Sequence, residues 1–470
     1  MHYVSTRGAA PALRFGDVLL AGLADDGGLY LPERWPELPP LESLRGRSYP
    51  EIAVEVMWPF VEGEVPRDVF ERIVEESYAT FDTPDVCPVL PLGSTESGAP
   101  LSLLELFRGP TLAFKDVALQ LVGRLFDHVL TARGGRVCVL GATSGDTGSA
   151  AMDACAGLEH VDIFILFPDG RTSEVQRRQM TTLGAANAHA VALPGTFDAC
   201  QDLVKAAFAD ASFRDEVHLS AVNSINWARV MAQIVYYVTA HLQVAPDGGP
   251  VSYVVPTGNF GNILAGWAAK QMGLPVDRLV VASNRNDILT RFFTTGTMEI
   301  REVVPTSSPS MDIQVSSNLE RLLFEALGRD GAAVAEMMTR FRADGTVSIE
   351  VDVLERLRDE FDSGRLDDES AAEVIRRVHG RIGLLLDPHS AVGVGVAEAM
   401  RTDPSVPVVA LATAHPAKFP DAVEAATGIR PPLPEHLADL FDRPERIERV
   451  PADLASVQAI VRAGLAARSA

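Results

Sequence analysis

The 470-residue sequence is short of cysteine and of positive charge. Cys87, Cys138, Cys155 and Cys200 form no CxxC pair, and no two histidines fall in HExxH spacing. A disulfide framework or a structural metal centre needs such clustering, so neither is expected. Lys and Arg number 41 against 63 Asp and Glu, a formal charge of -22. That balance argues against a broad grip on nucleic acid or anionic lipid, both of which require clustered cations. No apolar run reaches the roughly 20 residues of a membrane-spanning helix. The opening "MHYVSTRGAAPALRFG" resembles neither a secretory leader nor a transit peptide. The expectation is a cytoplasmic globular chain with no membrane or nucleic-acid partner. Solenoid periods and low-complexity tracts are absent as well.

What is present is length for two or three domains and a rhythm of apolar, β-branched runs alternating with helical patterns. "RVCVLGA", "SAAMDACAGL", "VDIFILF" and "SEVQRRQMTTLG" carry that rhythm from about residue 136. It resumes at "VSYVVPTGNFGNILAGWAAKQMG" and continues in "DRLVVAS" and "VPVVALATA". Such alternation predicts an α/β architecture of two lobes with parallel sheets. Ahead of it, residues 1 to about 95 hold the amphipathic helices "YPEIAVEVMWPFV" and "RDVFERIVEESYATF", read as a separate, mainly helical N-terminal domain. Residues 96–470 form the two-lobed region, with a charge-rich stretch at about 310–385 that reads as a solvated helical insertion. The end, "DLASVQAIVRAGLAARSA", reads as one closing helix.

Chemistry gathers at loops where strands give way to helices. In "GPTLAFKDVALQ" Lys115 precedes a helical pattern, with Asp116 a candidate cap. A lysine desolvated there loses ammonium character, as a nucleophilic amine requires, though most lysines near helix starts are simply exposed. "GATSGDTGSAA" aims backbone amides and the hydroxyls of Thr143, Ser144 and Thr147 at a helix N-terminus, which suits a carboxylate or phosphate; an ordinary tight turn is the plainer reading. It is neither a P-loop nor a GxGxxG site. "PTGNFGN" repeats the arrangement, with Gly258 and Gly261 freeing the backbone and Asn259 and Asn262 adding donors. Two such loops suggest a doubly anionic ligand set. "VNSINWAR" offers Asn223, Ser224 and Arg229, a fork suited to phosphate or else a structural cation. "LATAHPAKF" ends a strand in Thr413, whose hydroxyl could enter the site, and in His415, read as a local hydrogen-bonding group before a base.

In order and spacing, "YVSTRG", "DGGLYLP", "PTLAFKD", "GATSGDTG", "VNSINWAR", "PTGNFGN", "PSMDIQVSSNLERLLFE", "DPHSAVG" and "LATAHPAKF" resemble the threonine synthases over nearly the whole chain. These are pyridoxal-phosphate enzymes of fold type II, the tryptophan-synthase-β-like fold, here in the longer subgroup with an extra N-terminal domain. The resemblance implies that Lys115 is the Schiff-base lysine. It implies that Gly258, Asn259, Phe260, Gly261 and Asn262 hold the cofactor phosphate, and that Thr413 faces the pyridine nitrogen. Thr143 to Thr147 would receive the substrate carboxylate, and Asn223, Ser224 and Arg229 the substrate phosphate. Asp146 stands where many relatives on this fold place asparagine beside the cofactor's phenolic oxygen; an ionised carboxylate would be repelled there, so it is protonated or faces elsewhere. The implied reaction converts O-phospho-L-homoserine and water to L-threonine and phosphate by γ-elimination and β-addition, in a monomer or homodimer and with no metal. Two alternatives stay open: a phospholyase releasing 2-oxobutyrate, and a non-catalytic binding protein on the same scaffold.

Overall fold

The computed structural model describes residues 1–220 and 225–469. Two sheets organise it, and their central strands read as near-continuous apolar runs because both faces are covered. The larger has six strands in the spatial order Phe361–Arg365, Val276–Ser283, Val251–Pro256, Val408–Ala412, Pro100–Glu105 and Val89–Ser94. All its neighbours run parallel except the last pair, which is antiparallel. Its Val251–Pro256 and Val408–Ala412 strands are buried throughout. The smaller sheet is wholly parallel, in the order Glu448–Arg449, Ala188–Leu193, Val161–Pro168, Val137–Ala142 and Leu219–Ser220. The α/β expectation of two lobes therefore matches the strands seen. Val89–Ser94, on the N-terminal side of the residue-95 boundary, is part of the larger sheet.

The helix Trp227–Val244 is buried from Trp227 to His241. A helix apolar on every side belongs in an interior, and this one packs against the helices Lys115–Arg133, Gly261–Gln271 and Tyr49–Val61. Trp227, at its first position, is fully buried. It meets Tyr3, Trp35 and Phe60 at ring distances of 6.2, 5.8 and 5.6 Å. The N-terminal helices are thus fixed to the two-lobed region through one aromatic cluster. Among the described residues no helix is long and apolar enough to cross a membrane.

The stretch at 310–385 departs from the solvated helical reading. It contains the helices Leu319–Ala326, Gly331–Asp344, Val351–Arg358 and Asp368–Ile382. "FDSGR", taken from sequence as part of a charged helix, is instead the strand Phe361–Arg365 at the edge of the larger sheet, pairing with Leu279–Ser283. Helical charge spacing on either side masked it, and only Phe361 faces inward strongly enough to be buried. Arg321, from the same stretch, is 1% exposed. Its guanidinium donates to Tyr30 O at 2.8 Å, to Ile225 O at 2.6 Å and to the Asn318 side chain. It thereby joins the N-terminal segment to both neighbours of the site. Beside it, Glu320 accepts from the Thr6 hydroxyl at 2.6 Å and from Arg7 at 3.0 Å. Arg321→Ala strands these acceptors out of water and should lower stability by on the order of 3 kcal/mol, read from the midpoint of denaturant unfolding; a loss within experimental error would show the contacts to be dispensable.

Candidate active site

The site residues lie beyond the carboxyl ends of parallel strands, where α/β sheets bind ligands. The chain leaving Val408–Ala412 runs through Thr413, whose carbonyl accepts from Phe114 N at 2.9 Å, and His415 N donates to Leu112 O at 3.0 Å. Leu112 takes a left-handed φ of 64°, an unfavourable conformation for a branched residue that surrounding contacts must hold. This turn delivers Lys115 as the first residue of the helix Lys115–Arg133. Asp116 does not cap that helix, correcting the sequence expectation: its carboxylate accepts from Thr111 N at 2.8 Å and the Thr111 hydroxyl at 2.5 Å, bracing the preceding turn. Burial pushes Asp116 up to about 7.

Lys115 is 7% exposed, with its Nζ 5.1 Å from the Phe114 ring centre. Burial, aided by Lys418 and Arg229, holds its ammonium below the ordinary lysine range although Asp146 pulls the other way. Asp146 Oδ2 lies 3.2 Å from Lys115 Nζ, and Oδ1 accepts from Gln176 Nε2 at 2.9 Å and sits 3.1 Å from Lys418 Nζ. Burial alone would raise this carboxyl, but Lys115, Lys418 and His389 together bring it well below the usual range. Asp146 is turned to Lys115, and the two lysines favour its ionised form.

Thr143 shapes its loop from within, its hydroxyl oxygen accepting from Gly145 N and Gly148 N at 2.9 Å each. Only its hydroxyl hydrogen is left for a ligand. Ser144 and Thr147 are half-buried at the start of the helix Asp146–Cys155, beside exposed ends of backbone N–H bonds. Thr413 is buried and donates its N–H to Ser390 Oγ at 3.1 Å.

The second loop follows Val251–Pro256. A Cβ on Gly258 would come within 2.6 Å of Ser310 O, so only glycine lets the two backbones approach. Phe260 has a left-handed φ of 63° and precedes the helix Gly261–Gln271, with its ring stacked on Phe293 at 6.2 Å. Asn259 is exposed, and its carbonyl accepts from Asn318 N and Nδ2 at 3.1 and 2.9 Å. Asn262 is buried; its Oδ1 accepts from Tyr236 and Tyr237 hydroxyls at 2.6 and 2.9 Å, while Nδ2 has no partner among the described residues. A buried orphan donor on the first turn of a helix is what a phosphate completes, and the cradle fits that group. Arg229 poses the same demand more strongly. It is 4% exposed in the first turn of Trp227–Val244, and its Nε and Nη1 have no partner among the described residues. Burial pushes it down to about 10. Asn223 and Ser224 lie outside the described residues.

Sequence reasoning missed the residues that connect these loops. Ser310 donates its hydroxyl to Asp146 Oδ2 at 3.3 Å and its N–H to His389 Nε2 at 3.2 Å; His389 Nδ1 meets Asp387 at 2.8 Å. Lys418 and Gln176 complete the surround of Asp146. All of them sit in strings quoted above, "PSMDIQVSSNLERLLFE", "DPHSAVG", "LATAHPAKF" and "SEVQRRQMTTLG", but no local pattern marked them out from other polar residues. His415 behaves as expected of a local group: its Nδ1 accepts from Ala417 N at 3.1 Å.

A buried lysine at a strand-to-helix turn, an anion cradle behind it and fold type II topology define a pyridoxal-phosphate-dependent enzyme. Comparison with known proteins agrees. The family described as "Pyridoxal-phosphate dependent enzyme" matches residues 86–341, flanked by "Threonine synthase N terminus" at 2–78 and "Threonine synthase, C-terminal" at 390–461. A threonine synthase of Pseudomonas aeruginosa is 54% identical, with 98% of each chain covered. The PLP-bound threonine synthase structure from Brucella melitensis superposes with a TM-score of 0.95 at 53% identity, covering 99% of each chain. That of yeast gives 0.93 at 38% identity, again covering 99% of each. The chain belongs to the threonine synthase family.

Burial, with Arg108 second, pushes His415 down to about 4. Between the unfolded value near 6.5 and 4, the unfolded chain takes up a proton that the folded chain refuses. The associated stability is present above pH 6.5 and is lost as pH falls toward 4, by about 3 kcal/mol in all. His415→Asn, which keeps an acceptor for Ala417 N, should flatten that part of the stability–pH curve; an identical curve in the variant would assign the acid sensitivity to other groups.

Proposed function

We propose that the chain converts O-phospho-L-homoserine and water to L-threonine and inorganic phosphate, with Lys115 holding pyridoxal phosphate covalently. The observation that carries the reading is Arg229, a buried guanidinium near the candidate nucleophile whose Nε and Nη1 have no partner among the described residues. Such a cation is stabilised when a dianion arrives, and its planar fork matches phosphate oxygens. Bound pyridoxal phosphate supplies an electron sink for the charge that develops when protons leave substrate carbons. The rest falls to the chain. Asn262 and the first turn of its helix hold the cofactor phosphate, with Gly258, Asn259, Phe260 and Gly261 shaping the cradle. Thr413, at the end of the strand Val408–Ala412, would hold the cofactor ring through its hydroxyl. The helix N-terminus at Ser144 and Thr147, with Thr143, receives the substrate carboxylate. Lys115, its ammonium destabilised by burial, is an amine able to accept the α-proton and return it. Arg229, with Asn223 and Ser224, anchors the substrate phosphate and keeps it near after departure. The same reading places the enzyme in the cytoplasm, as a monomer or homodimer, with its catalytic region at about 96–470 behind an N-terminal domain.

Lys115→Ala should keep the fold by circular dichroism and lose both covalent cofactor and threonine formation; full activity in that variant would end the proposal. Arg229→Ala should weaken O-phospho-L-homoserine binding by about 10- to 100-fold, the worth of a charge-assisted contact, and leave cofactor uptake nearly unchanged. Equal affinity in the variant would move the phosphate site elsewhere. The direct assay quantifies phosphate, L-threonine and 2-oxobutyrate from one reaction. Threonine matching phosphate mole for mole is the expected result, and oxobutyrate in its place would make the enzyme a phospholyase.

A further inference from the structure

Lys418 plays no part in the mechanism above, yet it is fully buried at the centre of the site. It ends the short turn Pro416–Lys418 after the strand Val408–Ala412. Its Nζ donates to Thr111 O at 2.6 Å, Gln179 Oε1 at 3.1 Å and Ser149 Oγ at 3.4 Å, and lies 3.1 Å from Asp146 Oδ1. Those acceptors come from the turn ahead of Lys115 and from the helices Asp146–Cys155 and Glu174–Thr181. One buried carboxylate therefore serves two buried ammonium groups, one on each oxygen.

The two lysines differ in what happens to them. Lys115 is an ammonium only until its nitrogen bonds to the cofactor, and its charge then comes and goes with the proton on that bond, whereas Lys418 is held by protein acceptors throughout. Whenever Lys115 is uncharged, Asp146 would be a buried anion with no ammonium partner if Lys418 were absent. We infer that Lys418 is the standing counter-ion of Asp146, a positioning residue that keeps this carboxylate ionised in every state and, by competing for it, leaves Lys115 free as a neutral amine. The inference rests on Lys115 being the cofactor lysine. Other charged groups bear on the trio: Arg229 on Lys115, His389 on Asp146, and Asp116 and His415 on Lys418.

The test is made on the full chain incubated with pyridoxal 5′-phosphate over a pH series, trapped with borohydride and digested, with each modified lysine quantified by mass spectrometry. Reading the peptide itself separates Lys115 from the titration of Asp116 and His415. Wild type should label at Lys115. Lys418→Gln should raise the pH midpoint of labelling by about one unit, a roughly tenfold loss below the midpoint, and Lys418→Arg should restore it. An unmoved midpoint, or the same fractional loss at every pH, would overturn the inference while leaving Lys115 in place. Label at any other lysine, Lys418 included, would overturn both. If Lys418→Gln does not fold, Asp146→Asn and Asp146→Asn/Lys418→Gln read the same coupling without a stranded carboxylate. The single variant should lower the midpoint and the double should bring it back up; equal midpoints would again refute the role.

Discussion

The structure turns on the Asp146 carboxylate held between two buried ammonium groups. The carboxylate offsets the cost of burying both lysines, because an unpaired buried charge is unstable and either moves or neutralises. With only one of them, Asp146 would in turn lack an ammonium partner once that one is committed to chemistry. The second oxygen's bond to Gln176 and the first's contact with Ser310 fix the carboxylate's orientation. Position and protonation are set together, which is what a group beside a reactive amine requires.

Around this centre, the backbone is bent where chemistry needs it. Leu112 and Phe260 both take left-handed conformations, the first three residues before the helix Lys115–Arg133 and the second immediately before the helix Gly261–Gln271. Each is held by neighbours from distant sequence: Leu112 by His415 through the backbone, Phe260 by the rings of Phe293 and Phe361. The strand Phe361–Arg365 thereby supports the loop 258–262 as well as extending the sheet.

The N-terminal segment contributes structurally through Glu320 and Arg321. Thr6 and Arg7 bind Glu320, Tyr30 binds Arg321, and Asn318 passes the constraint to the carbonyl of Asn259. A chain of polar contacts thus runs from the first residues to the cofactor loop. Polar bonds inside a low-dielectric interior are strong when every partner is present, so these helices and the cradle are one mechanical unit.

Local pattern carried the strands Val137–Ala142, Val161–Pro168 and Val251–Pro256, because buried parallel strands are apolar throughout and their periodicity needs no neighbour to read. Lys115, the "TSGDT" turn and the "GNFG" loop stood out at strand-to-helix junctions, but local pattern alone left an exposed lysine and ordinary tight turns as the plainer readings, and their proposed roles came from the resemblance. The edge strand Phe361–Arg365 was illegible, as its charged residues face water and carry helical spacing from both flanks. Lys418, Asp387, His389 and Ser310 were present in recognisable strings but without roles. Their meaning is electrostatic, and a charge acquires its effect from distance and burial. Whether Asp146 was ionised could not be settled by residue type: the answer came from Lys418, 272 positions away in the chain and 3.1 Å away in space. The sequence by itself determined the buried central strands, the glycine and hydroxyl turns that follow them and the lysine that leads a helix. Tertiary structure alone decided the protonation of that chemistry, because charge states depend on what else is buried within a few ångströms.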